Sequence, residues 1–280
     1  MNFAYSTNAF KTYSVIESLE LIKEIGFDGV EIMCDRPHVY PPDFDEKNLS
    51  EIKQTVEKLD LSITNLNCFT LFAIGDTYLP SWIEPEQPRR QIRIDHTLAC
   101  LKVAKYLGCK NISIPPGGPV VRGDEQSSLS LFHKGLECVI PLAEEMDVLL
   151  LIEPEPELLI ENSRQIKSFI RDVASKHVGI NFDVGHFYCV GENPEQALES
   201  LFEHVGHIHI EDIADSKKHY HLIPGSGAID FNAFFSQLQK LRYQNDICLE
   251  LYPYIDTPKE AGIQSYNYLT PILKEYGFFE

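Results

Sequence analysis

At 280 residues, with 44% hydrophobic and 24% charged side chains, the chain has the size and balance of one globular enzyme domain, and a core this large can form without disulfides. Twenty-four basic against 42 acidic residues give a net charge of −18 with histidine neutral, a field that repels phosphate backbones and disfavours nucleic-acid binding. No run reaches the ~18 to 20 apolar residues of a membrane span, and the opening Met1-Asn-Phe-Ala-Tyr-Ser-Thr lacks the basic and apolar segments of a secretory leader, so a cytoplasmic location and no membrane partner are expected.

Strand and helix patterns alternate along the whole chain. Residues 2–6 read as a first strand, and 15–25 as a helix with Val15, Leu19, Ile22 and Ile25 on one face and Gly26 as its stop. Strand 29–33, helix 49–59 and strand 62–68 follow, then a long helix ending at 104–108 with Ile94, Leu98, Leu101 and Ala104 on one face. The rhythm continues as strand 111–114, helix 129–146, strand 148–152, helix 163–173, strand 178–182 and helix 194–202. Strand 205–210, helix 231–241, strand 246–251 and helix 259–276 complete it.

Eight strands alternating with eight helices predict an α/β fold, a single (β/α)8 barrel spanning residues 1–280. The first strand is not followed by G-x-G-x-x-G, which removes the main support for a dinucleotide fold. No low-complexity linker divides the chain. Two longer connections, residues 37–45 and 75–88, are expected as lids over the barrel mouth.

Four ionisable side chains each close one of these apolar runs: Glu153 in Leu149-Leu-Leu-Ile-Glu153, Asp183 in Val178-Gly-Ile-Asn-Phe-Asp183, His209 in His207-Ile-His209, and Glu250 in Ile247-Cys-Leu-Glu250. The carboxyl ends of barrel strands converge on one mouth, so these groups can meet around one ion. Burying such carboxylates without a cation or hydrogen bonds costs several kcal/mol. Three carboxylates and one imidazole form a hard, mostly oxygen site, suited to Mn²⁺, Mg²⁺ or Co²⁺. In His207-Ile-His-Ile-Glu211 alternate residues share a face, so His207, His209 and Glu211 point inward at increasing height, with His207 too deep to reach an ion. After Asp183, Gly185 is expected to let the backbone turn and bring His186 over the mouth.

Seven cysteines without C-x-x-C spacing read as reduced thiols, mostly in the core. Cys68 and Cys189 fall near strand ends, within reach of the mouth, but neither is assigned as a nucleophile. Glu155 reads as a solvated loop charge rather than a second acid. The glycine-rich turns at residues 114–119 and 224–227, with Arg122 and Lys217 nearby, offer either an anion cradle or plain tight turns. Aromatic segments at 231–235 and 252–254 could supply a homo-oligomer contact.

The ordered set Gly26-Phe-Asp-Gly-Val-Glu-Ile32, Leu151-Ile-Glu-Pro154, Phe182-Asp-Val-Gly-His186, His207-Ile-His209 and His221-Leu-Ile-Pro-Gly-Ser-Gly-Ala-Ile-Asp230 resembles the xylose-isomerase-like barrel superfamily, and within it the sugar phosphate isomerase/epimerase and ketose 3-epimerase branch. The resemblance covers nearly the whole chain. It implies that Glu153, Asp183, His209 and Glu250 bind one divalent ion, Mn²⁺ first and Mg²⁺, Co²⁺ or Zn²⁺ otherwise. It also implies that Glu153 and Glu250 double as the acid/base pair, that His186 contacts substrate oxygens, and that Glu31 and His221 face the pocket. Glu211 is assigned with these to substrate binding.

The expected chemistry is proton removal next to a carbonyl of a sugar or polyol. An ion chelated by adjacent carbonyl and hydroxyl oxygens withdraws charge and stabilises an enediolate. Returning the proton to the other face epimerises, returning it to the neighbouring carbon isomerises, and loss of a β-hydroxyl dehydrates. A keto-inositol or dehydroshikimate-like dehydratase is therefore the main alternative. Two departures from the family pattern stand out: Glu153-Pro-Glu155-Pro-Glu157 where many relatives carry Asn or His after the glutamate, and Lys217-Lys-His-Tyr-His221 where some carry an arginine. His186, His219 and Glu211 could instead form part of the three-metal cluster of abasic-site endonucleases, although His38 and His96 sit at no strand end. A non-catalytic sugar-binding barrel is the remaining reading.

Overall fold

Each apolar run pairs with the next in a computed structural model that describes residues 1–120 and 123–279. The strands are β1 (Phe3–Ser6), β2 (Gly29–Met33), β3 (Ser62–Asn67), β4 (Asn111–Ile114), β5 (Leu149–Ile152), β6 (Val178–Asp183), β7 (Val205–Ile210) and β8 (Ile247–Leu249). All pair in parallel in chain order, and β8 returns to β1, so the sheet closes into a barrel without edges. The expected (β/α)8 architecture is present.

Around it lie α1 (Val15–Ile25), α2 (Glu46–Lys58), α3 (Gln87–Leu107), α4 (Glu125–Met146), α5 (Ser163–Val173), α6 (Val184–Cys189), α7 (Pro194–Leu201), α8 (Phe231–Leu241) and α9 (Pro258–Glu275). Local chemistry fixes their ends. Ser14 and Glu17 form a reciprocal capping box at α1, as do Asn162 and Gln165 at α5. Gly108, at φ 78°, terminates α3 in a left-handed conformation that disfavours a side chain. Helix α2 begins three residues earlier than the apolar pattern predicts because Asp45 accepts from the Asn48 N–H and caps it. No helix among the described residues is long and apolar enough to cross a membrane.

The core lies partly inside the barrel and partly between sheet and helices. Trp82, Phe132 and Phe169 show the second layer: the Phe132 ring stacks on Phe169 at 4.9 Å and meets Trp82 at 5.6 Å. Each such buried ring contributes roughly 2 to 3 kcal/mol.

Register decides what meets at the mouth. Asp183 on β6 sits directly beside His209 on β7, after a register shift between Ile180 and Asn181. On β2 a similar shift between Val30 and Glu31 sets Glu31 beside Asn65 of β3. Because side chains alternate along a strand, these shifts turn polar groups inward on neighbouring strands at matching heights.

Candidate active site

At the carboxyl ends of the strands, one donor atom from each of Glu153, Asp183, His209 and Glu250 lies within 4.8 Å of all the others. All four residues are buried. Their fixed contacts leave specific atoms free. The Asp183 Oδ1 accepts the His186 backbone N–H at 2.8 Å, capping α6, while its Oδ2 has no hydrogen-bond partner. Asn181 donates to Glu153 Oε2 at 3.0 Å. Asn8 and Asn67 donate to Glu250 Oε1 at 2.7 and 3.1 Å. His209 turns Nε2 to Glu31 at 2.6 Å and Nδ1 to Glu153 at 3.1 Å, Glu250 at 3.6 Å and Asp183 at 3.8 Å.

The electrostatics are those of a site short of positive charge. Burial, with the Glu211 and Glu153 carboxylates beside it, holds the Asp183 carboxyl well above its usual range. Burial raises Glu250 in the same way, with Glu153 and Glu31 adding to it against His209. Burial disfavours a charged His209, but Glu31, Glu250 and Glu153 outweigh it and push the imidazole well above 6.5. A divalent cation among an orphaned carboxylate oxygen, two partly engaged glutamates and an imidazole would relieve all three perturbations, so the residues present fit such an ion.

Above this floor opens a cavity of about 280 Å³. Glu153, Glu250, His186, His219 and His221 form its polar part, and Phe69, Phe72, Tyr78 and Tyr252 its aromatic part. His186 and His221 donate through Nδ1 to the Pro154 and Glu250 carbonyls, both at 2.8 Å. Burial, reinforced by the neighbouring His219, pushes both imidazoles well below their ordinary range, so they are neutral and each presents a bare Nε2. The His219 Nε2 lies 3.1 and 3.3 Å from these two atoms.

Several expectations need correction. Glu31 and Glu211, assigned to substrate contact, have no exposed surface and do not line the cavity. Glu31 lies behind His209, bonded also to Asn65 and Asn67. Its pKa is brought down to about 2: burial would raise it, but His209 outweighs that. Glu211 accepts the Gly185 N–H at 2.5 Å, and burial is the main force pushing it up to about 8. Its approach explains Gly185: an added Cβ would stand 2.2 Å from Glu211 Oε1. The glycine serves this close approach rather than a left-handed turn.

Glu155 is no solvated loop charge. It is buried in the cavity wall, where it accepts from the Tyr78 hydroxyl at 3.1 Å and meets His186 Nε2 at 3.3 Å. Burial, then Glu153 and Asp183, hold it well above 4.5, beside neutral imidazoles. Pro154 and Pro156 flank it in sequence, and the exposed loop they suggest instead folds inward.

Neither glycine turn is a free anion cradle beside the cavity. The N–H groups of Gly225, Gly227 and Ile229 are taken by the Asp212 carboxylate at 2.9, 2.7 and 3.1 Å, and Gly117 and Gly118 pack against Leu159 and Leu158. Lys217 lies over the Tyr188 ring, away from the cavity, and Arg122 falls outside the described residues. Of the two expected lids, residues 75–88 contribute Thr77 and Tyr78 to the cavity and residues 37–45 contribute none. Cys68 is fully buried and Cys189 lies on α6; neither lines the mouth. His207 behaves as read, buried beneath the site with Nδ1 at Asn181 and Nε2 at Thr64.

Sequence reasoning missed the amides Asn8, Asn67 and Asn181, and Lys11 and the aromatic wall. For Asn67 and Asn181 the signal existed: each shares strand parity with an inward neighbour, Asn65 or Asp183. Lys11, Phe72, Tyr78 and Tyr252 come from connections without periodicity.

Known proteins share this arrangement of strands over their full length. The 3-dehydro-D-guloside 4-epimerase of Escherichia coli (strain K12) is 25% identical over 289 residues, covering 96% of this chain and 99% of that protein. A crystal structure of a D-tagatose 3-epimerase-like protein superposes with a TM-score of 0.83 at 22% identity, covering 99% and 98% of the two chains. The IOLI protein, solved with a bound zinc atom, superposes at 0.82 with 18% identity over the full length of both. A family model, the xylose isomerase-like TIM barrel, matches residues 19–270, and with the closed eight-stranded barrel this places the chain in the xylose isomerase-like TIM barrel family.

Proposed function

We propose that this chain, acting as one barrel domain, is a divalent-metal-dependent sugar isomerase or epimerase that moves a proton on the carbon next to a carbonyl. The observation that carries the reading is the pairing of Glu153 and Glu250. Each lines the cavity with one oxygen tied down by amides, Asn181 in the first case and Asn8 and Asn67 in the second; the second oxygen of Glu153 meets His209 Nδ1 at 3.1 Å and that of Glu250 lies 3.6 Å from it, and these second oxygens are the ones assigned to proton transfer. Glu153, Asp183, His209 and Glu250 would hold one divalent ion, Mn²⁺ first, with Mg²⁺, Co²⁺ or Zn²⁺ as alternatives, which supplies Lewis-acid withdrawal of charge from the carbonyl and its neighbouring hydroxyl. One glutamate removes the carbinol proton and the other delivers a proton, and fixing both by amides from the barrel floor keeps them in line with the reacting carbon.

His186 and His221, neutral and anchored through Nδ1, offer acceptors to sugar hydroxyls. Lys11 is the one cationic side chain lining the cavity among the described residues, and four aromatic side chains line the rest. That lining favours an unphosphorylated substrate with an apolar face. Among the relatives, the 3-dehydro-D-guloside 4-epimerase is named for an unphosphorylated substrate and the putative L-ribulose-5-phosphate 3-epimerases for a phosphorylated one, so the preference rests on the cavity lining alone.

Incubation with keto-sugars and keto-glycosides in D₂O with Mn²⁺ tests the reading. Deuterium at the carbon next to the carbonyl without new ultraviolet absorbance supports epimerisation or isomerisation. A conjugated product absorbing in the ultraviolet would replace it with a dehydratase acting on a keto-inositol or dehydroshikimate-like acid.

A second reading rests on the convergence of the His186, His219 and His221 Nε2 atoms, which could hold a further ion as in an abasic-site endonuclease. The charge of −18 opposes a DNA substrate, and cleavage of an abasic duplex is the observation that would favour it.

A further inference from the structure

The connection from β3 to α3, residues 68–86, contains no strand or helix, and a connection that long is ordinarily either functional or disordered. It supplies Phe69, Thr70, Phe72, Thr77 and Tyr78 to the cavity. Ordering it costs roughly 1 to 2 kcal/mol per residue in backbone entropy. Its own backbone bonds close only its middle: Leu71 donates to the Asp76 carbonyl at 3.1 Å, and Asp76 to the Leu79 carbonyl at 2.9 Å.

Two buried charges hold the rest. Asp35, just past β2, has no exposed surface. Its carboxylate accepts the Thr70 hydroxyl at 2.9 Å and the Phe72 and Ala73 N–H groups at 2.5 and 3.0 Å, and otherwise only the Arg36 N–H at 2.8 Å. Arg93 reaches the same connection from the buried face of α3. Its guanidinium donates to the Phe69 carbonyl at 2.9 Å and the Cys68 carbonyl at 3.4 Å, where the chain leaves β3, and to the Pro80 carbonyl at 2.9 Å further on. Burial pulls Arg93 down to about 10, with the Asp35 charge opposing the shift, so it stays charged at neutral pH.

Burying an arginine and an aspartate costs several kcal/mol, and apolar side chains would fill the same space without that cost. Every hydrogen bond of the Arg93 guanidinium among the described residues, and all but one of those to Asp35, goes to this one connection. Phe72 shows what the arrangement achieves. Its ring is 41% exposed, so its own burial does not fix it; the Asp35 bonds to its N–H and to both neighbours in the segment do. The ring then stands beneath the Lys11 ammonium at 4.4 Å, and the Tyr78 hydroxyl of the same connection meets Glu155 in the cavity wall.

We propose that Asp35 and Arg93 are positioning residues for substrate selection: they hold the 68–86 connection in place before substrate arrives, so that Phe72 and Tyr78 form a fixed wall of the cavity rather than a lid that closes. A preformed wall removes the ordering cost from binding. It acts through side chains that carry no proton in the proposed reaction, hence on KM more than on kcat. The kinetic part of the inference rests on the proposed isomerase or epimerase activity; the structural part does not.

Asp35→Asn turns one acceptor oxygen into a donor that faces other donors. Hydrogen–deuterium exchange read by mass spectrometry should quicken in peptides covering residues 69–80 and not in the barrel strands, and Mn²⁺ titration of the variant should match the unaltered chain. On a keto-sugar that the unaltered chain turns over, KM should rise roughly tenfold while kcat stays within about threefold. Arg93→Lys, which keeps the charge, should fall between the unaltered chain and Arg93→Met in both readouts. Thr70→Val removes a single bond to Asp35 and gives the same direction of change if Asp35→Asn does not fold. Unchanged exchange, or quicker exchange with KM unaltered, would overturn the proposal, as would a fall in kcat together with Mn²⁺ affinity, which would make Asp35 a support of the ion site. If the unaltered chain turns over no keto-sugar, the proposed activity fails, and the exchange result by itself decides whether Asp35 and Arg93 hold the wall.

Discussion

His209 and Glu31 face each other at 2.6 Å with both side chains fully buried, so one ring nitrogen of the histidine is committed to a carboxylate while the other looks toward Glu153, Asp183 and Glu250. This is the arrangement by which a carboxylate behind a ligating imidazole fixes its tautomer and raises its basicity. Replacing Glu31 by Gln should therefore weaken Mn²⁺ binding roughly 10- to 100-fold with the fold intact. Direct metal titration of the folded variant checks this, and unchanged affinity would return Glu31 to a purely structural role.

Glu153→Gln and Glu250→Gln should each lower turnover by roughly 10² to 10⁴, with little change in circular dichroism. Deuterium exchange into substrate resolves the two roles. If the glutamates act as a pair, each variant loses exchange from one configuration of the carbon before the other.

Asp183→Asn separates the metal site from folding. The amide oxygen can still accept the His186 N–H and cap α6, while a carboxyl that burial and Glu211 penalise when it ionises is removed from the cluster. In EDTA the variant should melt a few degrees higher than the unaltered chain. With saturating Mn²⁺ the order should reverse, because ligand binding stabilises only the chain that binds. Identical melting in both conditions would count against an ion among these four residues.

Acid should destabilise the fold through histidines that are buried and neutral. His38 is buried and neutral, its pKa lowered to about 4, chiefly by burial. The unfolded chain binds that proton near the ordinary value of 6.5, so the stability is fully present above about pH 6.5 and is lost as pH falls toward 4. At about 1.4 kcal/mol per unit, the loss from this group is about 3 kcal/mol. Urea midpoints at pH 7 and pH 5 should show it, and His38→Gln, which keeps a donor toward the Phe10 carbonyl, should reduce the difference by this group's share, while His96, His207 and His219, also lowered by burial, supply the rest.

Burial and its carboxylate neighbours hold Glu155 well above its ordinary range, so Glu155→Gln should retain turnover within roughly tenfold, whereas Glu155→Leu removes the contacts to Tyr78 and His186 and should raise KM further. Steady-state kinetics on both variants distinguish a neutral hydrogen-bonding wall residue from an ionised catalytic base, which Gln could not replace.

The sequence determined where strands and helices begin and end to within a few residues, except for the short α6 at Val184–Cys189, which it did not anticipate, because burial on one or both faces leaves a periodic trace and because caps such as Ser14 and Gly108 are local chemistry. It also marked Glu153, Asp183, His209 and Glu250, since an ionisable group closing an apolar run is visible without knowing its neighbours. Closure of the sheet and the register shifts at Val30 and Ile180 are tertiary facts. They decided that Glu31 lies behind His209 rather than in the cavity, that Glu211 packs against Gly185, that Asp212 fills the glycine turn, and that Glu155 folds inward. Each depends on which backbone or side chain arrives from a distant segment at hydrogen-bonding range. A strand's parity reports the face on which a side chain lies, and only the packed barrel fixes its depth and its partner.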